Sequence, residues 1–319
     1  MAKNKVIEGE KELNKKLNVE QITWDGLTWV NIEKPTTTEI EYLAQNYPFH
    51  PLDLDDCLSR IQRPKIDEYE DYLFVVLRFP LFSKKERVTV PSQVSIFIGQ
   101  DYLVTLHSGM LKPLLTLFRD CQLNEEARLE NMKSSGYLLY RIIDSLVDYC
   151  FPILDKIMAN IERVEDDIFD SRTPDPIEDL SQLRRDVISY RRIVWPLRTV
   201  IACLELKTKS LTPQDMEAYW GDVVDHVDKI WDTLDECKEI IDGLNETGAF
   251  LASHHTNQVI RILTIFTAIL MPLTLVASFY GMNINLPWQE HDLAFIIILL
   301  VMFVAISGML FFFHRRRWI

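Results

Sequence analysis

Two long apolar segments without a charged side chain close the chain, and they limit its fold more than any other feature. The first runs from about Ile262 to Tyr280 and the second from about Leu293 to Phe313. Each is about as long as a helix must be to cross the hydrocarbon core of a bilayer. We therefore expect an integral membrane protein with two C-terminal transmembrane helices, which a short loop of residues 284–292 joins as a hairpin.

Charged residues beside these segments predict their orientation. Arg261 precedes the first segment and the loop carries Glu290 and Asp292. The second segment is followed by a basic tail of three residues, Arg315, Arg316 and Arg317. Lys and Arg are enriched on the cytoplasmic side, so both termini are expected in the cytoplasm and the loop outside. Since the charged N-terminus lacks the apolar core of a secretory signal, we expect a multi-pass protein of the cell membrane, inner or plasma.

Composition argues against several classes of function. The net charge of −13 disfavours a nucleic-acid partner and would attract cations. The five cysteines are scattered without a Cys-x-x-Cys pair, which predicts reduced structural thiols. No motif places a nucleophile or a metal beside His50, His107 or His226, so these are expected to be ordinary histidines and the protein is not expected to be an enzyme.

We expect residues 1–108 to form a cytosolic α/β domain, because strand and helix signals alternate in this segment. For the chain as a whole we expect an α+β fold. Residues 24–32 are typical of a hairpin and residues 72–79 of a buried strand. Two more strands, residues 93–98 and 102–106, are joined by a turn at Gly99. Short helices are expected from Thr37 or Thr38 to Tyr47 and from Pro51 to Arg60.

Beyond Ser108 the apolar residues recur at helical spacing in three stretches, residues 110–169, 176–206 and 213–280. We expect residues 109–258 to form a helical and stalk region and residues 259–319 the transmembrane hairpin with its basic tail. A helix running from residue 213 to residue 280 would extend about 100 Å at about 1.5 Å per residue. The stalk helix is thus expected to continue into the first transmembrane helix.

An apolar pattern and a charge pattern run along the predicted stalk helix. Apolar positions step by four and three from Val223 to Leu251, which predicts either a coiled-coil seam or helix packing within one chain. The flanking surface is strongly acidic, with Lys229 and Lys238 as its only basic residues between positions 222 and 246. A merely solvated face would be more mixed in charge.

A stripe of polar and flexible side chains follows the same spacing within and just before the first apolar segment. Its members are Asn257, Ile260, Thr264, Thr267, Met271, Thr274 and Ser278, with Leu263 beside them. Such a stripe serves either hydrogen bonding between helices or the lining of a water-filled path. Two spans cannot enclose a path, so a conducting protein needs several copies around an axis. Ile260, Leu263 and Met271 would then be apolar constrictions.

Three motifs in the C-terminal third resemble those of the CorA family of magnesium channels. They are Thr256-Asn257-Gln258-Val259, Met271-Pro272-Leu273-Thr274 and Tyr280-Gly281-Met282-Asn283, followed by a second span and a basic tail. The resemblance implies a homopentameric funnel with Gly281, Met282 and Asn283 as the selectivity filter at its outer mouth. Their oxygens would hold a hydrated Mg²⁺ through its waters, because this ion dehydrates reluctantly. It also implies lipid and divalent cations as partners and no organic cofactor.

The resemblance further implies closure by cytosolic Mg²⁺ bound between neighbouring protomers. Asp222 and Asp225 correspond to the acidic pair of the family, and Glu246 to an acidic position nearer the membrane. After Arg78 the family has an acidic partner where this chain has Ser83, so either Glu86 substitutes or sensing is weaker or differently arranged.

Two other functions remain open. A ZntB-like zinc transporter would agree with the His254-His255 pair, although adjacent helical residues point about 100° apart and do not chelate together. A membrane-anchored structural coiled coil would leave the polar stripe and the oxygen-rich outer mouth unexplained.

Overall fold

The computed structural model describes residues 17–59, 62–169, 176–212, 215–282 and 293–318. The chain divides into two compact units, residues 1–244 and 245–319. The sequence predicts a finer division into three segments. The two-unit division does not test those boundaries, so they stay a prediction.

A six-stranded mixed sheet organises the first unit. Its strands are β1 (Val19–Trp24), β2 (Leu27–Glu33), β3 (Lys65–Glu68), β4 (Leu73–Ser83), β5 (Val88–Ile98) and β6 (Tyr102–His107). They lie in the order β1-β2-β6-β5-β4-β3. Strands β2 and β6 pair in parallel and all other neighbours pair antiparallel.

The predicted hairpins are confirmed. Strands β1 and β2 meet at Asp25 and Gly26, whose φ angles of 46° and 83° are those of a tight hairpin turn. Strands β5 and β6 pair across the turn at Gly99, where the Gly99 N–H donates to the Tyr102 carbonyl (3.0 Å). A Cβ at position 99 would lie 2.5 Å from the Tyr102 ring, so a larger residue there would have to displace that ring.

Two short helices follow β2, α1 (Thr37–Asn46) and α2 (Pro51–Leu58). The expected cap at Thr37 or Thr38 is wrong, because Thr36 is the N-cap and forms a reciprocal capping box with Glu39. Helix α2 begins at Pro51 as expected and ends at Leu58, two residues before the predicted Arg60, which lies outside the described residues.

The remaining helices of the first unit cover one face of the sheet. The stretch from residue 110 to 169 is helical as predicted and forms four helices, α3 (Lys112–Leu123), α4 (Glu125–Asn131), α5 (Ser135–Asp148) and α6 (Cys150–Phe169). Helix α7 (Pro176–Thr208) packs against β4 and β5. Helix α8 (Glu217–Tyr280) starts in the first unit and ends in the second.

Each face of the sheet has its own hydrophobic core, as the alternation of side chains along a strand requires. Along β4, Leu73, Val75 and Leu77 contribute to the core beneath α3 and α5–α8, whereas Phe74 and Val76 contribute to the core beneath α1 and α2. The first core also contains the apolar seam of α8 from Val223 to Leu244. The seam therefore packs within its own chain.

A buried polar network holds the ends of β2 and β6 together. The Gly109 N–H donates to His107 Nδ1 (3.0 Å), so Nε2 carries the proton and donates to Asn31 Oδ1 (2.9 Å). The Thr105 hydroxyl donates to the same oxygen (2.8 Å) and accepts from Trp29 Nε1 (3.1 Å). His107 is 2 % exposed, and burial lowers its pKa to about 4.

Acidification is expected to destabilise the first unit through His107. The pKa of this imidazole is about 4 in the folded chain, against an ordinary value of 6.5, so the unfolded chain takes up the proton first as the pH falls. The neutral imidazole thus contributes roughly 3 kcal/mol to the free energy of unfolding. This contribution is fully present above about pH 6.5 and is lost as the pH falls towards 4. Denaturant unfolding of the detergent-solubilised protein at several pH values measures it. His107→Gln should flatten the pH dependence, whereas the exposed His254→Gln should not.

The second unit contains the C-terminal part of α8 and helix α9 (Ala294–Arg315). Both helices are long and apolar enough to cross a membrane. Ile265 on α8 and Phe313 on α9 are its buried side chains among the described residues. Every other described side chain of the unit is at least partly exposed, as is expected of surfaces that face lipid or another chain.

Candidate functional site

The polar stripe of α8 is exposed along its whole length in the single chain. Its eight members are Asn257, Ile260, Leu263, Thr264, Thr267, Met271, Thr274 and Ser278. The residues that are buried or half-buried lie on another face of the helix: Ile265, Ala268, Ile269, Pro272, Leu273 and Val276. By the 100° step of an α-helix the two faces are nearly opposite. Since α9 is the other described helix of this unit, the stripe is turned away from it.

The three threonine hydroxyls of the stripe are hydrogen-bonded inside their own helix. Thr264 Oγ1 donates to the Ile260 carbonyl (2.7 Å), Thr267 Oγ1 to the Leu263 carbonyl (2.7 Å) and Thr274 Oγ1 to the Leu270 carbonyl (2.9 Å). This bonding to the preceding turn is common for threonine in helices. Because the hydroxyl proton of each of these three threonines is used, the outer side of each of their oxygens presents lone pairs only. The stripe therefore displays a row of hydrogen-bond acceptors.

An open groove runs beside these acceptors. It has a volume of about 770 Å³, and residues of α8 line it: Leu263, Phe266, Thr267, Leu270, Met271, Pro272, Thr274, Leu275 and Ser278. Pro272 has no N–H for the carbonyl of Ala268, so one backbone acceptor of the helix is left over there. The groove thus combines a mostly apolar wall with widely spaced acceptor oxygens.

Helix α8 ends at the predicted filter. The Gly281 N–H donates to the Ala277 carbonyl (3.0 Å) and the Met282 N–H to the Phe279 carbonyl (3.3 Å), and both residues are exposed. A Cβ at position 281 would lie 3.1 Å from the Ala277 oxygen, which is a tight contact. Asn283 lies outside the described residues, so its predicted role stays a prediction.

The four predicted regulatory residues are exposed, and they are distributed over both units. Asp222 and Asp225 lie on α8 in the first unit, Glu246 lies on α8 in the second, and Glu86 lies in the turn between β4 and β5. The Glu86 carbonyl accepts a hydrogen bond from Gln182 Nε2 (3.4 Å). Within the described residues, neither Glu86 nor Asp222 nor Asp225 belongs to a group of three or more ligand atoms close enough to hold one metal ion. A single chain therefore does not bring the predicted sensor together.

The structure instead groups an imidazole with carboxylates near Asp222. One ligand atom each from Asp144, Asp148 and His226 lies within 4.8 Å of the others. His226 Nδ1 is 3.6 Å from Asp148 Oδ1, and its Nε2 is 3.8 Å from Asp222 Oδ1. The Nδ1 atom is buried and makes no hydrogen bond in the described part of the chain. Helices α5 and α8 thus place three carboxylates around one imidazole.

Repulsion between crowded carboxylates dominates the electrostatics of this cluster. Burial raises the pKa of Asp144, and the Asp148 carboxylate raises it further. Arg141 offsets part of this charge, with Nη1 3.4 Å from Asp144 Oδ2. The Phe151 ring stands perpendicular to the His226 ring at 5.6 Å between centroids. A divalent cation is suited to such a site, because it would neutralise carboxylates that repel one another.

The sequence reasoning missed Asp144, Asp148 and His226. The spacing of Asp222 and His226, four residues apart on a helix, was the one available signal, since such residues share a face. Nothing local connects them with α5, because that contact depends on tertiary packing. His254 and His255 are both exposed on α8.

The basic tail follows the end of α9. Arg315 is the last residue of that helix and Arg316 is its C-cap. All three arginines of the tail are exposed, and Arg316 lies 5.8 Å from the centroid of the Phe312 ring.

The chain resembles known proteins both in sequence and in structure. A family described as "CorA-like Mg2+ transporter protein" matches residues 24–315. The cobalt/magnesium transport protein CorA of Thermotoga maritima is 30% identical over 294 residues, which cover 92% of this chain and 83% of that protein. The zinc transport protein ZntB of Klebsiella pneumoniae is 21% identical over 98% of this chain and 94% of its own length.

A solved structure has the same fold. It is the complete structure of the CorA magnesium transporter from Methanocaldococcus jannaschii, with a TM-score of 0.80 and 23% sequence identity over 94% of both chains. An N-terminal α/β part, a long helix and two apolar C-terminal helices are thus common to both chains.

Proposed function

Because this chain belongs to the family of CorA-like Mg²⁺ transporter proteins, and is thus a membrane transporter of divalent metal ions, we propose that it is a channel whose cargo is Mg²⁺. Co²⁺ and Ni²⁺ are proposed as further substrates. The observation that carries the proposal is the exposed stripe of α8, whose threonine hydroxyls present acceptors only.

The stripe suits an ion that keeps its water. The hydrogens of water bound to a cation point outwards, so a path for the hydrated ion needs acceptors rather than donors. Thr264, Thr267 and Thr274 supply such acceptors without a fixed charge. Carboxylates in their place would bind the ion more tightly and release it more slowly. Mg²⁺ holds its water more firmly than most divalent ions, which favours this mode of passage.

Several copies must surround the path. One α8 supplies one wall, and the groove of about 770 Å³ is open on the side away from α9. A ring of identical helices would close that groove and bury the exposed apolar residues Leu263, Phe266 and Met271. We propose the homopentamer that the family resemblance implies. The assembly then has Gly281, Met282 and Asn283 at its outer mouth.

The membrane potential would drive entry. With both termini in the cytoplasm, a divalent ion moving inwards gains roughly 4.6 kcal/mol per 100 mV, at about 2.3 kcal/mol per charge. The acidic surface of α8 would hold cations at the inner end of the path. The basic tail, Arg315 to Arg317, would lie at the cytoplasmic lipid headgroups.

Closure by cytosolic cation is proposed to involve the cluster around His226. Asp222 lies 3.8 Å from His226 Nε2, and Asp144 and Asp148 complete the group. Oxygen ligands suit Mg²⁺, whereas the imidazole suits Co²⁺, Ni²⁺ and Zn²⁺. A cation bound there would offset the repulsion among the carboxylates. Asp225, Glu246 and Glu86 remain proposed sensor residues.

Replacing His226 by alanine is expected to weaken protection by Co²⁺ more than protection by Mg²⁺. The concentration of Co²⁺ that half-protects the purified protein from protease should rise about tenfold, the usual size of the effect of losing one metal ligand or its support. The corresponding concentration of Mg²⁺ should change much less, because Mg²⁺ does not need the imidazole. His254→Ala removes an exposed histidine of the same helix and should behave as the unmodified protein. Equal shifts for the two ions would remove His226 from the site.

Zinc transport is the second candidate. The likeness to ZntB and the imidazole within the carboxylate cluster support it. The exposed hydroxyl stripe suits Zn²⁺ less well than Mg²⁺, because Zn²⁺ exchanges its water more readily for nitrogen and sulfur ligands.

Flux into liposomes tests the proposed function. Purified protein in sealed vesicles with an inside-negative potential should admit Mg²⁺, and also Co²⁺ and Ni²⁺, faster than protein-free vesicles do. Zn²⁺ entry without Mg²⁺ entry would favour the zinc transporter instead. Entry of none of the four ions would reject the channel.

A further inference from the structure

A backbone turn folds the residues after α9 back onto the end of that helix. The Arg317 N–H donates to the His314 carbonyl (3.0 Å), and the Trp318 N–H donates to the Phe313 carbonyl (3.0 Å). These two hydrogen bonds are those of a Schellman motif, with Arg317 at the C′ position and Trp318 next to it. Residues 314–318 therefore form a defined structure at the end of α9, which we call the basic cap.

The basic cap holds an arginine in a conformation that usually belongs to glycine. Arg317 has a φ of 56°, in the left-handed region where a Cβ is strained. Glycine at this position would form the same two hydrogen bonds without that strain. Strain of this kind persists only where neighbouring contacts impose it, and it is an indication of function where it is observed. The sequence thus places a guanidinium where the backbone favours glycine.

Two aromatic contacts hold the basic cap on α9. The Trp318 ring stacks on the Phe313 ring, with 5.7 Å between the centroids and 24° between the planes. The Arg316 guanidinium carbon lies 5.8 Å from the centroid of the Phe312 ring. Phe313 is 9% exposed, whereas Trp318 is 42% exposed and the three arginines are also exposed. The stack therefore rests on a buried ring and leaves the guanidinium groups accessible.

The length of α9 places the basic cap at the depth of lipid headgroups. The helix has 22 residues, Ala294–Arg315, which correspond to a length of about 33 Å. The hydrocarbon core of a bilayer is about 30 Å thick. A helix that crosses this core therefore ends close to its boundary, and the basic cap follows without a linker. Tryptophan and arginine are both typical of this layer of a membrane.

The charge of the basic cap favours an acidic lipid. Residues 314–317 carry three guanidinium groups and one imidazole without a carboxylate, although the whole chain has a net charge of −13. Among the residues that the structure describes, no carboxylate pairs with these arginines. A guanidinium binds a phosphate through two parallel hydrogen bonds. A zwitterionic lipid brings its own cation to its phosphate, whereas an acidic lipid leaves that negative charge for the arginines.

We propose that the basic cap is a preformed binding site for the headgroup of an acidic phospholipid. The Schellman turn and the stack of Trp318 on Phe313 fix the backbone that carries the three arginines before the lipid binds. Less conformational freedom is then lost on binding. A headgroup held there would fix the end of α9 at one depth in the bilayer. The cytoplasmic location of the site rests on the proposed function, but the binding itself requires no conduction of ions.

Lipid binding to the full-length protein in a neutral detergent tests the proposal. Fluorescent phosphatidylglycerol should bind at least about tenfold more tightly than fluorescent phosphatidylcholine with the same acyl chains. Arg316→Gln should weaken phosphatidylglycerol binding about fivefold, the effect of one arginine near an acidic surface. Arg261→Gln removes an exposed arginine of α8 and should bind as the unmodified protein. Equal binding of the two lipids, or equal losses in the two variants, would overturn the proposal.

Two further variants separate a preformed site from a loose cluster of charges. Trp318→Ala keeps every charge but removes the ring that packs on Phe313, so phosphatidylglycerol binding should weaken about as much as in Arg316→Gln. Trp318→Phe should restore it, because phenylalanine can form the same stack. Arg317→Gly should bind about fivefold more weakly without a lower thermal unfolding midpoint, since glycine suits this turn. Unchanged binding in Trp318→Ala would overturn the preformed site.

Acidic side chains of a second copy are the other possible occupant of the basic cap. In that case Arg316→Gln would loosen the assembled protein, seen as a later elution on dilution, and would leave lipid binding unchanged. This result would overturn the proposal. Mg²⁺ flux by the same preparation is measured beside lipid binding. A protein that conducts without a preference for phosphatidylglycerol rejects this inference alone, and one that binds this lipid without conducting rejects the proposed function alone.

Discussion

Asn283→Ala is expected to abolish selective Mg²⁺ uptake while membrane insertion and assembly persist. The carboxamide oxygen of Asn283 would meet the hydrated ion at the outer mouth, just beyond the end of α8 at Gly281 and Met282. Alanine removes that acceptor and leaves the apolar segments unchanged. Mg²⁺ uptake into liposomes should fall to the rate of protein-free vesicles, whereas the elution volume of the purified protein should not change.

Asn285→Ala is the matched control, since it removes the same group two residues further along the loop. Uptake by this variant should stay near the unmodified rate. Unchanged uptake by Asn283→Ala would contradict the assigned role, and equal losses in both variants would show that the loop tolerates neither change.

Neutralising Asp222 and Asp225 together is expected to remove most of the protection that Mg²⁺ gives against protease. Asp222 Oδ1 lies 3.8 Å from His226 Nε2, and Asp225 is exposed on the same helix, α8. Without these two charges, the repulsion that a cation would relieve is much smaller. In Asp222→Asn with Asp225→Asn, the half-protecting Mg²⁺ concentration should rise by at least about tenfold, which corresponds to roughly 1.4 kcal/mol of lost cation binding.

Loss of two negative charges anywhere on the chain changes its general attraction for cations. Asp155→Asn with Asp166→Asn makes the same change at exposed positions of α6 and should keep the unmodified protection. Protection that is the same in both double variants would remove Asp222 and Asp225 from the sensor.

Local patterns predicted the parts of this protein that local physics determines. The two apolar segments near Ile262 and Leu293, the turn at Asp25 and Gly26, and the strands around Gly99 follow from hydropathy and turn chemistry. The N-cap of α1 shows the limit of such predictions. Thr36, Thr37 and Thr38 are identical residues, and only the hydrogen bond from the Thr36 N–H to the Glu39 side chain selects Thr36 as the cap.

Contacts between distant elements were not predictable in this way. The parallel pairing of β2 with β6 joins residues more than seventy positions apart. The cluster of Asp144, Asp148 and His226 requires α5 and α8 to pack side by side. The apolar seam of α8 was compatible with partners inside or outside the chain, and burial against α5–α7 places it inside. Periodicity reports that a face is buried but does not report what covers it.

The order in which the ribosome delivers the elements has a consequence for biogenesis. All strands of the sheet are complete at His107, but α7, which covers β4 and β5, ends about 100 residues later, a delay of roughly 5–20 s at typical translation rates. During this interval Leu73, Val75 and Leu77 remain open to water on a finished sheet. We therefore expect the nascent chain to expose this apolar face of the sheet until α7 has been made, which happens before its first hydrophobic span is synthesised.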